Sequence, residues 1–67
     1  MQISARNQLP ARVTKVTLGT VMAEVSVDLA GHQLTAAITR ASAEQLNLQE
    51  GDQVTVIVKA TEVMLGK

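Results

Sequence analysis

The sequence predicts an all-β domain, a small five-stranded barrel with one short helix between strands three and four. Three observations support this prediction. Apolar and polar residues alternate with a period of two over residues 21–29, which is typical of a strand with one buried face. Residues 30–32, Ala-Gly-His, have the composition of a hairpin turn. Good helix formers then replace the alternation between residues 39 and 48.

The first three strands are predicted from the N-terminal half of the chain. Strand one covers the β-branched and apolar residues 13–18, and Pro10 lies near its start, where a missing N–H is tolerated. Strand two is the alternating segment 21–29, whose apolar face carries Val and Ala at every second position. Strand three continues the alternation over residues 34–38, after the turn.

The helix and the last two strands follow. Ser42 is expected near the start of the helix, and Leu46 and Leu48 are expected to pack it onto the sheet. Residues 50–52, Glu-Gly-Asp, form a turn into strand four over residues 53–59, and residues 61–65 form a fifth strand. Five short strands with this helix suggest a barrel of the OB type, whose closure removes exposed strand edges.

The length and composition predict a single domain, residues 1–67, that needs a partner. A chain of 67 residues buries only a marginal core, and such domains usually add disulfides, a metal or oligomerisation. The chain has no cysteine, which excludes disulfides and thiolate metal sites, and its one histidine excludes a multi-histidine metal site within one chain. Oligomerisation is the route that remains open.

Charge and aromatic content exclude several functions. Six basic and six acidic side chains cancel, whereas nucleic-acid binders normally carry an excess of positive charge. The chain has no Phe, Tyr or Trp on which bases or sugars could stack. No segment approaches the roughly 20 apolar residues of a membrane span, and the N-terminus does not resemble a secretion signal. We therefore expect a cytoplasmic protein with no nucleic-acid or membrane partner.

Two basic residues indicate a site for an anion. Arg6 precedes the first predicted strand and Lys59 ends the fourth, and alone each is a solvated charge in the simpler interpretation. Polar side chains accompany them beside these residues or at other strand and helix ends: Ser4, Asn7, Thr39, Ser42 and Thr61. A tetrahedral dianion carries only acceptor oxygens, so one Arg, one Lys and several hydroxyl or N–H donors would suit it. A barrel or a barrel dimer could bring these ends together.

The chain offers no pattern of a catalytic centre. It has no nucleophile–base constellation, no phosphate-cradling glycine loop and no metal-ligand spacing. Glu24 and Asp28 lie on one face of strand two and are expected to be solvated or to lie between subunits. We expect no enzymatic activity.

The run Ser4-Ala5-Arg6-Asn7-Gln8-Leu9 is the most specific of several segments that, in order along nearly the whole chain, resemble a known family. This run is similar to the start of the molybdate-binding Mop domain. Residues 19–25, 37–42, 48–52 and 58–64 are similar to its later strands and turns. The resemblance implies a free-standing molbindin: an OB-like domain that assembles as a homohexamer, a trimer of dimers, and binds molybdate or tungstate reversibly between subunits.

The resemblance also implies the roles of individual residues. Arg6 and Lys59 would supply positive charge, and Ser4, Thr39 and Ser42 would supply hydroxyl groups or neighbouring backbone donors. Ala5, Asn7 and Ala60 would contribute backbone N–H groups or, for Asn7, its side chain. The ligand would be the oxyanion itself, with no covalent cofactor and no separately bound metal ion, and the role would be storage or homeostasis.

Two other functions stay open at this point. Residues 48–58, a leucine and an acidic-glycine turn before a valine strand, are also similar to a small dimeric DNA-binding transcription factor of the swapped-hairpin type. The zero net charge disfavours that function. The third alternative is an oligomerisation module that binds no ligand.

Overall fold

The computed structural model describes residues 3–67, so residues 1 and 2 of the predicted domain lie outside it. Within the described residues four strands form: β1 (Asn7–Leu18), β2 (Met22–Leu29), β3 (His32–Thr39) and β4 (Gln53–Val58). A short helix, α1 (Arg40–Gln45), joins β3 to β4, and one 3₁₀ turn, Ala60–Glu62, follows β4. The all-β class and the helix between strands three and four are confirmed.

The four strands form one antiparallel sheet in the order β3-β2-β1-β4. Strand β1 is long enough to pair with two neighbours: its first half pairs with β4, and its second half pairs with β2. The register on β2 shifts between Val13 and Lys15, so Thr14 is the extra residue of a β-bulge. A bulge bends its strand and increases the local twist. The first half of β1 extends beyond the end of β2 and pairs with β4.

The core lies on one face of this sheet and is built from small aliphatic side chains. Ala11, Val13, Val25 and Val27 form it, and Val13 is only 1% exposed. The predicted alternation of strand two is confirmed from Ala23 onward, because Ala23, Val25 and Val27 are buried and Leu29 is half-buried, while Glu24 is exposed. The alternation also places Val21 on the apolar face, but Val21 lies before the strand begins and is 70% exposed.

The hairpin turn between β2 and β3 is also confirmed. Ala30 and Gly31 both have positive φ angles, 52° and 88°. Two consecutive residues with positive φ are typical of the tight two-residue turns that match the twist of antiparallel strands. Glycine adopts such angles without steric cost, which explains its place here. His32 is the first residue of β3 and pairs with Leu29 across the turn.

The predicted fifth strand over residues 61–65 is not present in the described part of the chain. Residues 60–62 form the 3₁₀ turn instead, and residues 63–67 adopt no regular structure. β3 and β4 stay unpaired edges, so the OB-like sheet does not close into the predicted barrel. The physical reason is that a strand needs a partner, and Val63, Met64 and Leu65 find none, being 49%, 91% and 95% exposed.

The cap of α1 yields a first testable prediction. Thr39 is the N-cap residue, and its side-chain oxygen accepts a hydrogen bond from Ser42 N–H at 3.1 Å. A helix of only six residues depends strongly on such a cap. Thr39→Ala should therefore lower the free energy of unfolding by about 1 kcal/mol, measured by urea denaturation without any anion. Thr39→Ser keeps the hydroxyl and should retain most of the stability; an equal loss in both variants would contradict the cap assignment.

Candidate anion-binding site

The start of β1 and the end of β4 bring the two predicted cationic residues together. Asn7 is the first residue of β1 and pairs with Val58, the last residue of β4. Because the two strands are antiparallel, Arg6, directly before β1, lies beside Lys59, directly after β4. Arg6 and Lys59 are far apart in the sequence, and the register of β1 with β4 makes them neighbours.

A depression with a volume of about 250 Å³ lies between these two chain segments. Six residues line it, three from each segment: Ser4, Ala5, Arg6, Lys59, Ala60 and Thr61. Two cationic side chains, two hydroxyl groups and two small alanines therefore share one surface. The depression therefore combines positive charge with hydroxyl groups, and its two alanines add little bulk over the backbone.

Local structure explains why the residues after β4 line the depression. Lys59 has an extended backbone (φ −66°, ψ 136°) and precedes the 3₁₀ turn, whose Glu62 N–H donates to Lys59 O at 2.9 Å. The turn bends the chain away from the sheet directly after Lys59. The N–H groups of Ala60 and Thr61 lie at its start, where backbone donors have no partner within the turn.

The burial of the depression is uneven. Ala5 is buried at 9% exposure, whereas Arg6 and Lys59 are exposed. An exposed cation keeps most of its hydration and gains little from one anion contact. Two neighbouring exposed cations therefore make a half-open site in the single chain, in which a dianion would still face solvent on one side.

Five of the eight predicted site residues line the depression, namely Ser4, Ala5, Arg6, Lys59 and Ala60. Asn7 lies next to it, but its side chain donates to Val58 O at 3.1 Å. Thr61 also lines the depression, although it is not one of the eight predicted residues. The sequence places Thr61 among the polar side chains that accompany the two cations, two residues after Lys59.

Thr39 and Ser42 form a separate polar cluster at the start of α1. The Thr39 hydroxyl donates to Ser42 Oγ at 2.8 Å and accepts from Ser42 N–H. Neither residue lines the depression of its own chain. Arg40, between them, pairs with Glu44 at 2.9 Å and donates to Gly19 O at 3.3 Å. The structure thus places the predicted anion donors in two groups.

The second surface feature is an apolar groove with a volume of about 420 Å³ between β3 and β4. Core valines form its floor, and residues from both edge strands and from the chain after α1 form its sides. The side residues include Leu34, Ile38, Leu48, Val54 and Val56. No charged residue of the described chain lines the groove, so it does not suit an anion. An apolar surface of this kind is typical of a protein–protein contact.

Membrane-spanning and metal-binding features were sought in residues 3–67. No helix there has the length and hydropathy needed to cross a membrane. No three His, Cys, Asp or Glu side chains of these residues lie close enough together to hold a metal ion.

The chain is similar to several known proteins over nearly its whole length. The TOBE domain family matches residues 3–65. Molybdenum-pterin-binding protein 2 of Clostridium pasteurianum is 44% identical over 66 residues, which are 97% of each chain. A molybdate binding protein from Sporomusa ovata has a structure that superposes with a TM-score of 0.96 at 49% identity, covering 100% of both chains. The cytoplasmic molybdate-binding protein ModG, with molybdate bound, superposes with a TM-score of 0.85 at 43% identity, covering 90% of this chain and 43% of that one.

These similarities agree with one another and with the geometry. The family match spans all four strands and both segments that line the depression. The relatives extend this match to proteins named for molybdenum-pterin or molybdate binding. The chain therefore belongs to the TOBE domain family and, within it, to the Mop proteins, the molbindins.

Proposed function

We propose that the chain binds molybdate, or its close analogue tungstate, reversibly and without chemistry, for storage or homeostasis of the oxyanion. The observation that carries this proposal is the convergence of Arg6 and Lys59 with hydroxyl and backbone donors in one depression. The names of the relatives support the same ligand. No covalent cofactor and no resident metal ion takes part, since the metal arrives inside the oxyanion.

The charge of the ligand explains why two cations are needed. Removing a dianion from water costs several kcal/mol unless cations and donors replace its hydration shell. Arg6 and Lys59 neutralise the two charges, and the Arg6 guanidinium can present two N–H groups to neighbouring oxygens. The hydroxyls of Ser4 and Thr61 and the N–H groups of this surface serve the remaining oxygens.

The site is proposed to be completed by a second copy of the chain, within a homohexamer built as a trimer of dimers. Three features support this assembly. The depression is half open in one chain, and Thr39 and Ser42 are available on another surface to close it. The apolar groove and the exposed Met64 and Leu65 provide area to bury between copies. The core of one chain is small, and burial of apolar surface between copies would add to its stability.

The cellular setting is proposed to be the cytoplasm, with the chain forming one Mop domain over residues 1–67. The description of ModG as cytoplasmic supports this location. Nucleic-acid and membrane partners are not proposed, because six positive and six negative side chains leave no net charge to attract phosphates. The similarity to molybdate-binding proteins favours this function over the DNA-binding and ligand-free alternatives.

Calorimetric titration of the purified protein with molybdate, tungstate and sulfate tests the proposal. We expect molybdate and tungstate to bind with similar affinities, because the two oxyanions have the same charge and shape and nearly the same size. Sulfate is smaller, so a cage sized for molybdate leaves its oxygens short of their donors, and we expect at least a tenfold weaker affinity, about 1.4 kcal/mol.

Two results of this titration would speak against the proposal. Absence of binding heat and of any rise in melting temperature at millimolar molybdate would leave the ligand-free module, because a ligand of the native state must stabilise it. Equal affinity for sulfate would replace the selective molybdate site with a general dianion site.

A further inference from the structure

Two side-chain amides hold backbone carbonyls at the edge of the depression. Asn7 Nδ2 donates to Val58 O at 3.1 Å, and Gln8 Nε2 donates to Ala5 O at 2.8 Å. These two bonds are partly buried, whereas the other side-chain hydrogen bonds within residues 3–67 are exposed. Water therefore competes less well for them than for the rest.

The two carbonyls belong to the peptide groups that precede the two cationic residues. The Ala5 carbonyl shares its peptide group with the N–H of Arg6, and the Val58 carbonyl shares its own with the N–H of Lys59. A trans peptide group is planar, and its C=O and N–H point in opposite directions. A hydrogen bond that holds the carbonyl therefore also fixes the direction of the N–H and limits rotation at the next Cα.

We propose that Asn7 and Gln8 are positioning residues that hold the peptide groups before Lys59 and Arg6 and so preorganise the anion site. Neither residue lines the depression, so each acts through a neighbour rather than on the ligand. The inference rests on the proposed function, because it concerns how well the same site binds its anion.

The need for such positioning follows from the local structure. Ser4, Ala5 and Arg6 precede β1 and belong to no helix or strand. Lys59 likewise follows the last ladder pair of β4. Segments of this kind lose conformational freedom when they bind a ligand, and this loss weakens binding unless the segment is already ordered. The two amides supply this order before the anion arrives.

Asn7→Leu and Gln8→Met test the proposal, since each replacement keeps a similar size and removes the amide donor. We expect each variant to bind molybdate roughly 3- to 10-fold more weakly, the net worth of one hydrogen bond. In ¹⁵N relaxation measurements without anion, Gln8→Met should increase the mobility of the Arg6 amide and leave that of Lys59 unchanged. Asn7→Leu should do the reverse. A general loss of stability would not give this crossed pattern.

Thr14→Val is the matched control, because it also removes a side-chain bond to a backbone carbonyl, from Thr14 Oγ1 to Ser26 O at 3.1 Å. This bond lies on β1 away from the depression, and its loss should leave the affinity and the mobility of both amides unchanged. If the wild type binds molybdate and both amide variants bind as tightly as Thr14→Val, the positioning role is overturned while the proposed function stands.

Two further outcomes keep the inference apart from the proposed function. If the wild type fails to bind, the function fails, and unaltered amide mobility in the variants would overturn the positioning role as well. Should Asn7→Leu fail to fold, because Asn7 begins β1, Gln8→Met at the exposed Gln8 still decides the question.

Discussion

Arg6→Ala and Lys59→Ala are each expected to lower the affinity for molybdate by roughly 30-fold to several thousand-fold. The reason is that each change leaves a dianion facing a single cation in a site that, in the proposed assembly, a second copy shields from water. Removing one partner of a desolvated, hydrogen-bonded charge pair costs about 2 to 5 kcal/mol. The double variant should lose measurable binding. Calorimetric titration measures all three, with melting curves to show that the variants stay folded.

Arg12→Ala and Lys15→Ala are the controls for this prediction. Both residues are exposed on β1 and lie outside the depression, so each control removes the same charge from the same protein. We expect changes of less than about threefold, the size of a screened surface interaction. Equal losses in the controls and in Arg6→Ala or Lys59→Ala would show a general effect of net charge and contradict a local anion site.

Local pattern predicted most of the fold, and tertiary pairing explains what it missed. The alternation in β2 and β4 identifies those strands, because a sheet with one buried face requires it. The first half of β1 escaped prediction, because residues 7–12 contain Pro10 and have no clear alternation. These residues form a strand because β4 pairs with them. A neighbour that arrives from the other end of the chain leaves no local signal.

The predicted fifth strand was wrong because its segment pairs with no strand of the described chain. Residues 61–65 have suitable β-branched and apolar side chains, but propensity does not supply a partner edge. Within the described chain, Met64 and Leu65 face solvent instead. A sequence pattern thus indicates what a segment could do, and the available edges decide what it does.

The candidate site was predictable in its residue types and not in its grouping. A cluster of donors around Arg6 and a second cation at Lys59 are enough to suggest an anion from the residue types alone. The proximity of Arg6 and Lys59 depends on the register of Asn7 with Val58. Thr39 and Ser42 lie away from both cations because they are at the start of α1. Neither the register nor the place of α1 in the fold is encoded within a short window of sequence.

Leu34→Asp is expected to dissociate the proposed assembly and to weaken molybdate binding at the same time. Leu34 lines the apolar groove from the edge strand β3 and is 36% exposed, so an aspartate there can reach water in a free chain. Within a covered groove the same carboxylate would be buried without a partner, at a cost of several kcal/mol. Light scattering after size-exclusion chromatography should show a smaller species that keeps its β-sheet circular dichroism.

The affinity of Leu34→Asp then tests whether one chain is enough for the site. No residue of the depression is altered, yet we expect at least a tenfold loss, because Arg6 and Lys59 stay hydrated when no second copy covers them. Gln53→Asp adds the same charge at the exposed first residue of β4, which lines neither the groove nor the depression, and should change neither mass nor affinity. A folded, dissociated Leu34→Asp protein that binds molybdate like the wild type would show that the site is complete within a single chain. An undissociated one would show that the groove is not the interface.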